Sequence, residues 1–324
     1  MITSWQSIIE QQQTLSSNAN LELTSLFMPL TQLGVLKVTG EDGQNFLQNL
    51  LTNDVTDLAI NQSQLSGLCN AKGRLFSVFL LIRRKEHYQI IVPKSMCALL
   101  QQRLAMYVLR SKVTITDQTD ELVCVGLTQP SDDQIESLSL SDMIYQGYGH
   151  NNHLCIKLPS NLNRWLYISP QDQADELCKT LAEQQWQLAS DGIWNLLDIE
   201  AGLPMVFPES KEKFTPQQVN LDLVNGVSFN KGCYPGQEVV ARLHYLGKPS
   251  RRMFLAEAQT NDLPEIATEV TTEDGNVAGH VVCVEHKSNS TLKMLLSLKL
   301  TEDKSKVFLD QSTLIDVISQ VATE

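Results

Sequence analysis

Apolar and polar residues alternate over Leu33 to Thr39 (LGVLKVT), which predicts a strand closed by Gly40. The spacing then changes. Phe46, Leu47, Leu50 and Leu51 recur at helical intervals, so Glu41 to Leu51 is predicted as a helix. Gln64 to Asn70 reads as a strand and Lys72-Gly73 as a tight turn. Arg74 to Arg83 (RLFSVFLLIR) is nearly all apolar, which suits a central strand covered on both faces. Glu86-His87 turns the chain into another strand, Tyr88 to Val92. Ser95 is a natural N-cap for a helix with Leu99, Leu100, Leu104 and Tyr107 on one stripe. Lys112 to Thr116 returns as a strand. This order predicts an antiparallel or mixed sheet with helices on one side.

A second unit begins near Leu122, with strands expected at 122–127, 154–159 and 164–169. Two helices follow, over Gln171 to Gln185 and Ser190 to Ala201. Ser190 or Asp191 caps the latter, Gly202 stands past its end, and Pro204 lies beyond. The two units share an order of elements. From about Gly247 the texture becomes β-rich, with strands at 253–258 and 291–300 and a hairpin signal at Asp274-Gly275. The expected class is therefore α+β. Residues 1–120 and 121–246 form two similar units, and 247–324 forms a small β-barrel or sandwich docked without a linker. The N-terminal stretch, rich in Gln and Ser, is expected to be a poorly ordered arm.

Composition narrows the functional classes. A chain of 324 residues, 42% hydrophobic, is long enough for two or three cores. Mean hydropathy is −0.14, and no run approaches the roughly 18 apolar residues of a membrane helix. Met1 to Gln6 lacks the basic stretch and apolar core of a signal peptide, so a cytoplasmic protein is expected. The seven cysteines are odd in number and contain no CxxC pair, which predicts neither a disulfide framework nor a metal cluster. Apart from Cys233 they are expected as small core residues. With 37 acids against 25 bases the net charge is −12, which argues against gripping a nucleic-acid backbone over a broad surface.

The densest chemistry lies in Lys231-Gly232-Cys233-Tyr234-Pro235-Gly236-Gln237-Glu238. The glycines predict a sharply bent loop. Glu238 to Arg242 then opens a helix, with Glu238 favourably placed in its first turn. A thiol at such a helix start, flanked by Lys231 and Arg242, has its thiolate favoured. The alternative is a thiol packed under the loop.

This stretch is similar to the KGC(F/Y)xGQE signature of the YgfZ family of folate-binding proteins, which also includes mitochondrial iron–sulfur assembly factors. Asn70-Ala71-Lys72-Gly73-Arg74 resembles the family's (N/D)AKG(K/R) turn. Tyr107 to Val113 resembles its segment after the first helix, and Ile199 to Pro204 its IEAG(F/L)P. The resemblance implies the glycine-cleavage T-protein (aminomethyltransferase) fold: two ferredoxin-like units and a C-terminal β-barrel around a folate pocket. It implies tetrahydrofolate or a one-carbon derivative as ligand, with Glu200 taking the place of the T-protein glutamate that holds the pterin ring. A carboxylate accepts two parallel N–H bonds from the amino-pyrimidine edge; the alternative for Glu200 is a solvated acid at a helix end. Trp194 falls where relatives have a tryptophan linked to folate, and core packing is its other reading. On a regular helix the two side chains point about 120° apart, so both reach one ligand only at an unwound or wrapped helix end. Leu33 stands where some relatives carry a second tryptophan.

Lys231, Arg242, Lys248, Arg251 and Arg252 oppose only Glu238 across residues 231–252. Arg242, Arg251 and Arg252 are therefore candidates for the ligand's glutamate tail, or else part of a solvated loop face. The T-protein's acid on the strand after its glycine turn corresponds to Phe76 and Ser77, neither of which handles a proton. A Cys233–His244 pair and the loop histidines His150 and His153 have nothing further to support them. Three readings follow: a folate-binding factor that supports iron–sulfur enzymes and through them tRNA modification, a one-carbon transferase using a different acid, and a redox thiol protein.

Overall fold

The computed structural model describes residues 4–15, 25–138, 140–149, 153–301, 306–310 and 312–320. The chain opens with helix α1 (Trp5–Gln12) and strand β1 (Leu26–Pro29). There follow β2 (Leu33–Thr39), α2 (Gly43–Gln48), β3 (Ser63–Cys69), β4 (Leu75–Arg83), β5 (His87–Pro93), α3 (Lys94–Val108) and β6 (Thr114–Asp117). The second run holds β7 (Leu122–Thr128), α4 (Asp132–Ser137), β8 (Gly147–Tyr148), β9 (Leu154–Leu158) and β10 (Arg164–Pro170). It ends with α5 (Ala174–Glu183), β11 (Gln187–Leu188) and α6 (Gly192–Glu200). After a long irregular stretch come α7 (Gln237–Tyr245) and β12 (Arg251–Gln259). The last strands are β13 (Glu269–Thr272), β14 (Val277–Ser288), β15 (Thr291–Lys299), β16 (Val307–Leu309) and β17 (Thr313–Gln320).

The first sheet has the order β3-β4-β5-β2-β6, and the second β11-β1-β7-β10-β9-β8. Their inner faces share one core: Val35, Leu80, Ile82 and Ile91 of the first meet Leu154, Ile156, Leu166 and Ile168 of the second. The outer face of the first sheet is covered by α2 and α3 through Phe46, Leu47, Leu100 and Leu104. That of the second is covered by α1 and α5 through Ile8, Leu177 and Leu181. The nearly continuous apolar run of β4 follows from this layering, since it has a core on each side. The C-terminal strands close into a barrel, β12-β15-β14-β13-β16-β17. Met253, Val282, Cys283 and Leu295 on its wall pack against Ile199, Val206 and Phe214, which fixes the barrel to the body.

The N-terminal arm is not a loose tail over its described part. Ser4 accepts from the Ser7 N–H at 3.3 Å to cap α1, and Trp5 and Ile8 are buried. Gln12, polar in the sequence, is buried too: its Nε2 donates to the carbonyls of Pro29 and Ala189, both at 3.0 Å. Both α1 and β1 lie with the second sheet, β1 pairing with β7 and β11, although they precede the first sheet in sequence. Two helix starts also differ from expectation. Ser95 lies inside α3, whose N-cap is Pro93, and α2 begins at Gly43 and ends at Gln48.

Six of the cysteines are buried and Cys233 is exposed. Burial pushes the Cys69, Cys124 and Cys283 thiols up to about 12. An acid held neutral in the folded chain but ionising near 9 once unfolded stabilises the fold below pH 9. That contribution is lost as pH rises from 9 toward 12. Each such thiol should withdraw about 1.4 kcal/mol by pH 10. Urea unfolding at pH 8 and pH 10 checks this. Cys124→Ala should lose less stability between the two pH values than the parent chain, and an equal loss would refute the account.

Candidate functional site

Helix α6 carries the centre of the site. Ile193, Trp194 and Leu197 face the core between the sheets. Gly126 of β7 lets the indole in: a Cβ there would stand 2.5 Å from Trp194 Cε3. Asp198 lies four residues after Trp194, hence on the same face of the helix. Arg164 of β10 joins them. Its Nη2 lies 2.8 Å from Asp198 Oδ1, and its Cζ lies 4.7 Å from the centre of the Trp194 ring. The Arg164 side chain is 0% exposed and also donates to the Pro159 carbonyl, at 3.0 and 3.2 Å. Burial raises the Asp198 pKa, and the neighbouring guanidinium pulls against that rise.

Two hollows border Asp198, and a third lies next to them under α1. The first, of 60 Å³, lies between the sheets, bounded by Trp194, Asp198, Tyr145, Val78 and Leu166. The second, of 360 Å³, is lined by Asp198, Asn195, Phe207, Met205, Ile266 and Val284. The third, of 370 Å³, lies beneath α1, lined by Trp5, Gln6, Ile9, Thr119 and Gln171. Leu33 lines all three; Asp198 and Met205 line the first two, and Thr31 and Lys94 the last two. Gln32, in the wall of the middle hollow, donates from Nε2 to Asn195 Oδ1 at 3.4 Å, and its buried Oε1 has no hydrogen-bond partner among the described residues.

Of the residues singled out in the sequence, Leu33 and Trp194 therefore reach this space, and Glu200 is placed differently. At the last residue of α6, Glu200 forms an ion pair with Lys293 of β15, whose Nζ also lies 3.7 Å from Glu257 Oε1. Asn195 adds a bond to Glu285 Oε2 at 2.9 Å. Helix α6 is thus joined to the barrel at Asn195 and Glu200, and the second hollow lies between the helix and the barrel residues Cys283 and Val284. The sequence motifs do not mark Asp198; its four-residue spacing from Trp194 is the available signal.

The thiol-bearing loop forms a second, separate site. Lys231 is buried, and its Nζ donates to the carbonyls of Gln48, Leu51 and Asn53 at 2.7, 2.6 and 2.9 Å. These carbonyls lie at and beyond the C-terminal end of α2, where a cation is favourable. Burial pushes the Lys231 pKa down to about 8, with Asp54 opposing. The buried Tyr234 ring lies beside it, its centre 5.5 Å from Nζ. Gln237 Nε2 donates to the Lys231 carbonyl at 3.3 Å. Gly236, with φ +79°, sits directly on the Asn70–Gly73 turn, where a Cβ would fall 2.4 Å from the Asn70 carbonyl oxygen. The two motifs, more than 150 residues apart, thus form one surface, with Gly232, Cys233 and Glu238 exposed on it.

Lys231 does not flank the thiol as a charge partner, because its ammonium points into the protein. His244, considered as a partner for Cys233, stacks on Phe229 with ring centres 3.6 Å apart. Arg252 is held by Asp222 at 2.7 Å, Arg251 follows the barrel strand, and Arg242 is exposed on α7; none of the three lines a hollow. Phe76 is buried beneath the Arg103 guanidinium, 4.4 Å away, and Ser77 is fully buried. His153 lies with its ring 5.7 Å from that of Tyr167, and His150 falls outside the described residues. Among the described residues no three His, Cys, Asp or Glu side chains group as metal ligands, and no helix is long and apolar enough to cross a membrane.

Two stacked sheets and a closing barrel make a fold also seen in the aminomethyltransferase T of the glycine cleavage system from Bartonella henselae. The TM-score is 0.75, over 96% of this chain and 91% of that one, at 16% identity. The GCVT N-terminal domain family matches residues 23–144. The fold is thus of the aminomethyltransferase class. Closer in sequence are two proteins named tRNA-modifying protein YgfZ. That of Photobacterium profundum is 33% identical over 241 residues, 72% of this chain and 70% of its own. That of Yersinia enterocolitica is 33% identical over 262 residues, 78% of each. The chain belongs to the YgfZ family.

Proposed function

We propose that this protein binds tetrahydrofolate or a one-carbon derivative in its central hollows and acts as a cytoplasmic factor supporting iron–sulfur enzymes, including those that modify tRNA. The single observation that carries the reading is the 360 Å³ hollow with the Asp198 carboxylate at its inner end. The hollow is lined mainly by apolar side chains with a few polar groups, the usual make-up of a small-molecule site. Asp198 gives Oδ1 to Arg164, which leaves Oδ2 and the spare lone pairs of Oδ1 to accept N–H donors. An amino-pyrimidine edge presents such donors side by side. The unsatisfied Gln32 Oε1 is a further acceptor in the wall. Phe207 supplies an aromatic wall, and Trp194 borders the smaller hollow on the other side of Asp198. We assign the pterin edge to Asp198 in place of Glu200, since Glu200 is taken up by Lys293.

The exposed Cys233, on a loop held rigidly from beneath, is the group that meets the client enzymes. The tRNA connection follows the name of the relatives, and the acidic charge favours an indirect one through protein partners.

Isothermal titration with tetrahydrofolate, a formyl derivative and a polyglutamylated form tests the reading. A 1:1 complex is expected with at least one of them, and the absence of heat with all three sinks it. A second reading, a one-carbon transferase with a different acid, gains support from Asp198, which borders the ligand space. Turnover of a methylene-folate by the purified protein alone would favour it over a pure binding role.

A further inference from the structure

The three hollows are neighbours with shared wall residues, and two of the shared residues carry opposite charges. Asp198 lines the inner and middle hollows, and Lys94 the middle one and the hollow under α1. Such an arrangement suits a ligand that carries hydrogen-bond donors at one end and anionic groups at the other. Its middle walls, with Pro93, Phe207, Met205 and Ile266, suit a flat apolar spacer between the two ends.

We infer that the hollow beneath the N-terminal helix takes the carboxylate-bearing tail of the ligand, with Lys94 as the cation at its entrance. The inference rests on the folate reading above and adds the direction in which the ligand lies. Beyond Lys94 the lining changes from apolar to polar. Gln171 contributes an amide and Thr31 and Thr119 contribute hydroxyls, while the Gln6 amide N–H is held by Glu10 at 3.2 Å. These groups suit glutamyl carboxylates and the amides that join them. Leu33 borders all three hollows. One acid, Asp120, opposes the tail from the far wall. The assignment also gives α1 a purpose: Trp5, Gln6 and Ile9 form a wall of this hollow. The arginines 242, 251 and 252 are not needed for the tail, since none of them borders these hollows.

Lys94 and Asp120 are both exposed, so substitution there leaves folding intact. Three ligands are compared by titration: tetrahydrofolate, its triglutamate, and a tail-less tetrahydropterin. Lys94→Gln should weaken tetrahydrofolate about two- to fivefold and the triglutamate at least as much. It should leave the tail-less pterin unchanged. Asp120→Asn should act in the opposite direction, strengthening the tailed ligands about twofold with no effect on the pterin. Raising salt should weaken only the tailed ligands, and by less in Lys94→Gln than in the parent protein. If Lys94→Gln leaves the triglutamate unchanged, or weakens the tail-less pterin equally, the tail lies elsewhere and the folate reading stands. If no folate or pterin binds the parent protein, both fall together.

Discussion

Asp198→Asn should destabilise the protein by about 3–5 kcal/mol and abolish folate binding. The reason lies in Arg164. Its side chain is 0% exposed, and Asp198 is its ion-pair partner at 2.8 Å. The guanidinium has no contact with solvent, and the Pro159 carbonyl that it also bonds supplies only a dipole. A buried charge left without its partner is far more costly than the pair itself is favourable. Stability and binding must then be separated, since a badly destabilised variant loses its ligand trivially. The double variant Arg164→Met with Asp198→Leu serves that purpose. It replaces both charges by apolar groups of similar size, and such swaps are often neutral or stabilising. Urea unfolding should show the single variant far below the parent chain and the double variant near it. Titration should show no folate binding by either. A double variant that is stable and still binds folate would remove Asp198 from the site.

This pair also marks the limit of what the sequence disclosed. The α6 helix was legible from its flanking signals, an acid or serine before it and a glycine after, and it runs from Gly192 to Glu200. Trp194 and Leu33 were legible through family likeness, and both border the hollows. The same likeness points to Glu200, and its place is decided by Lys293, some ninety residues later on the C-terminal barrel. No local pattern announces such a pairing. Arg164 and Asp198 find each other across strand and helix in the same way. The N-terminal helix reads as a polar arm because Gln12 is satisfied by carbonyls of β1 and of the loop before α6, which turns a polar residue into a buried one. The sheets themselves were readable because period-two alternation and apolar runs record the layers directly. Which sheet β1 would join was not, since the choice rests on pairing with β7 and β11 far along the chain.

The motif loop poses the same problem more sharply, because two of its neighbours, Lys231 and Cys233, have opposite surroundings. Lys231→Met should cost about 2–4 kcal/mol. The methionine keeps most of the stem, so little volume is lost, but three buried or part-buried carbonyls lose a charged donor. The end of α2 and the loop that docks on it should both loosen, and Gly236 should come away from the Asn70 turn. Hydrogen exchange should report this as faster exchange in residues 48–54 and 231–238, with the barrel strands unchanged. Cys233→Ala should do the reverse. The thiol is exposed, so stability should stay within about 0.5 kcal/mol of the parent. Iron–sulfur-dependent tRNA modification in cells should nevertheless fall to the level of a deletion. If Lys231→Met unfolds with the parent midpoint, the lysine does not hold the loop. If Cys233→Ala sustains full modification, the exposed thiol is not the working group, and the surface around it must act through contact alone.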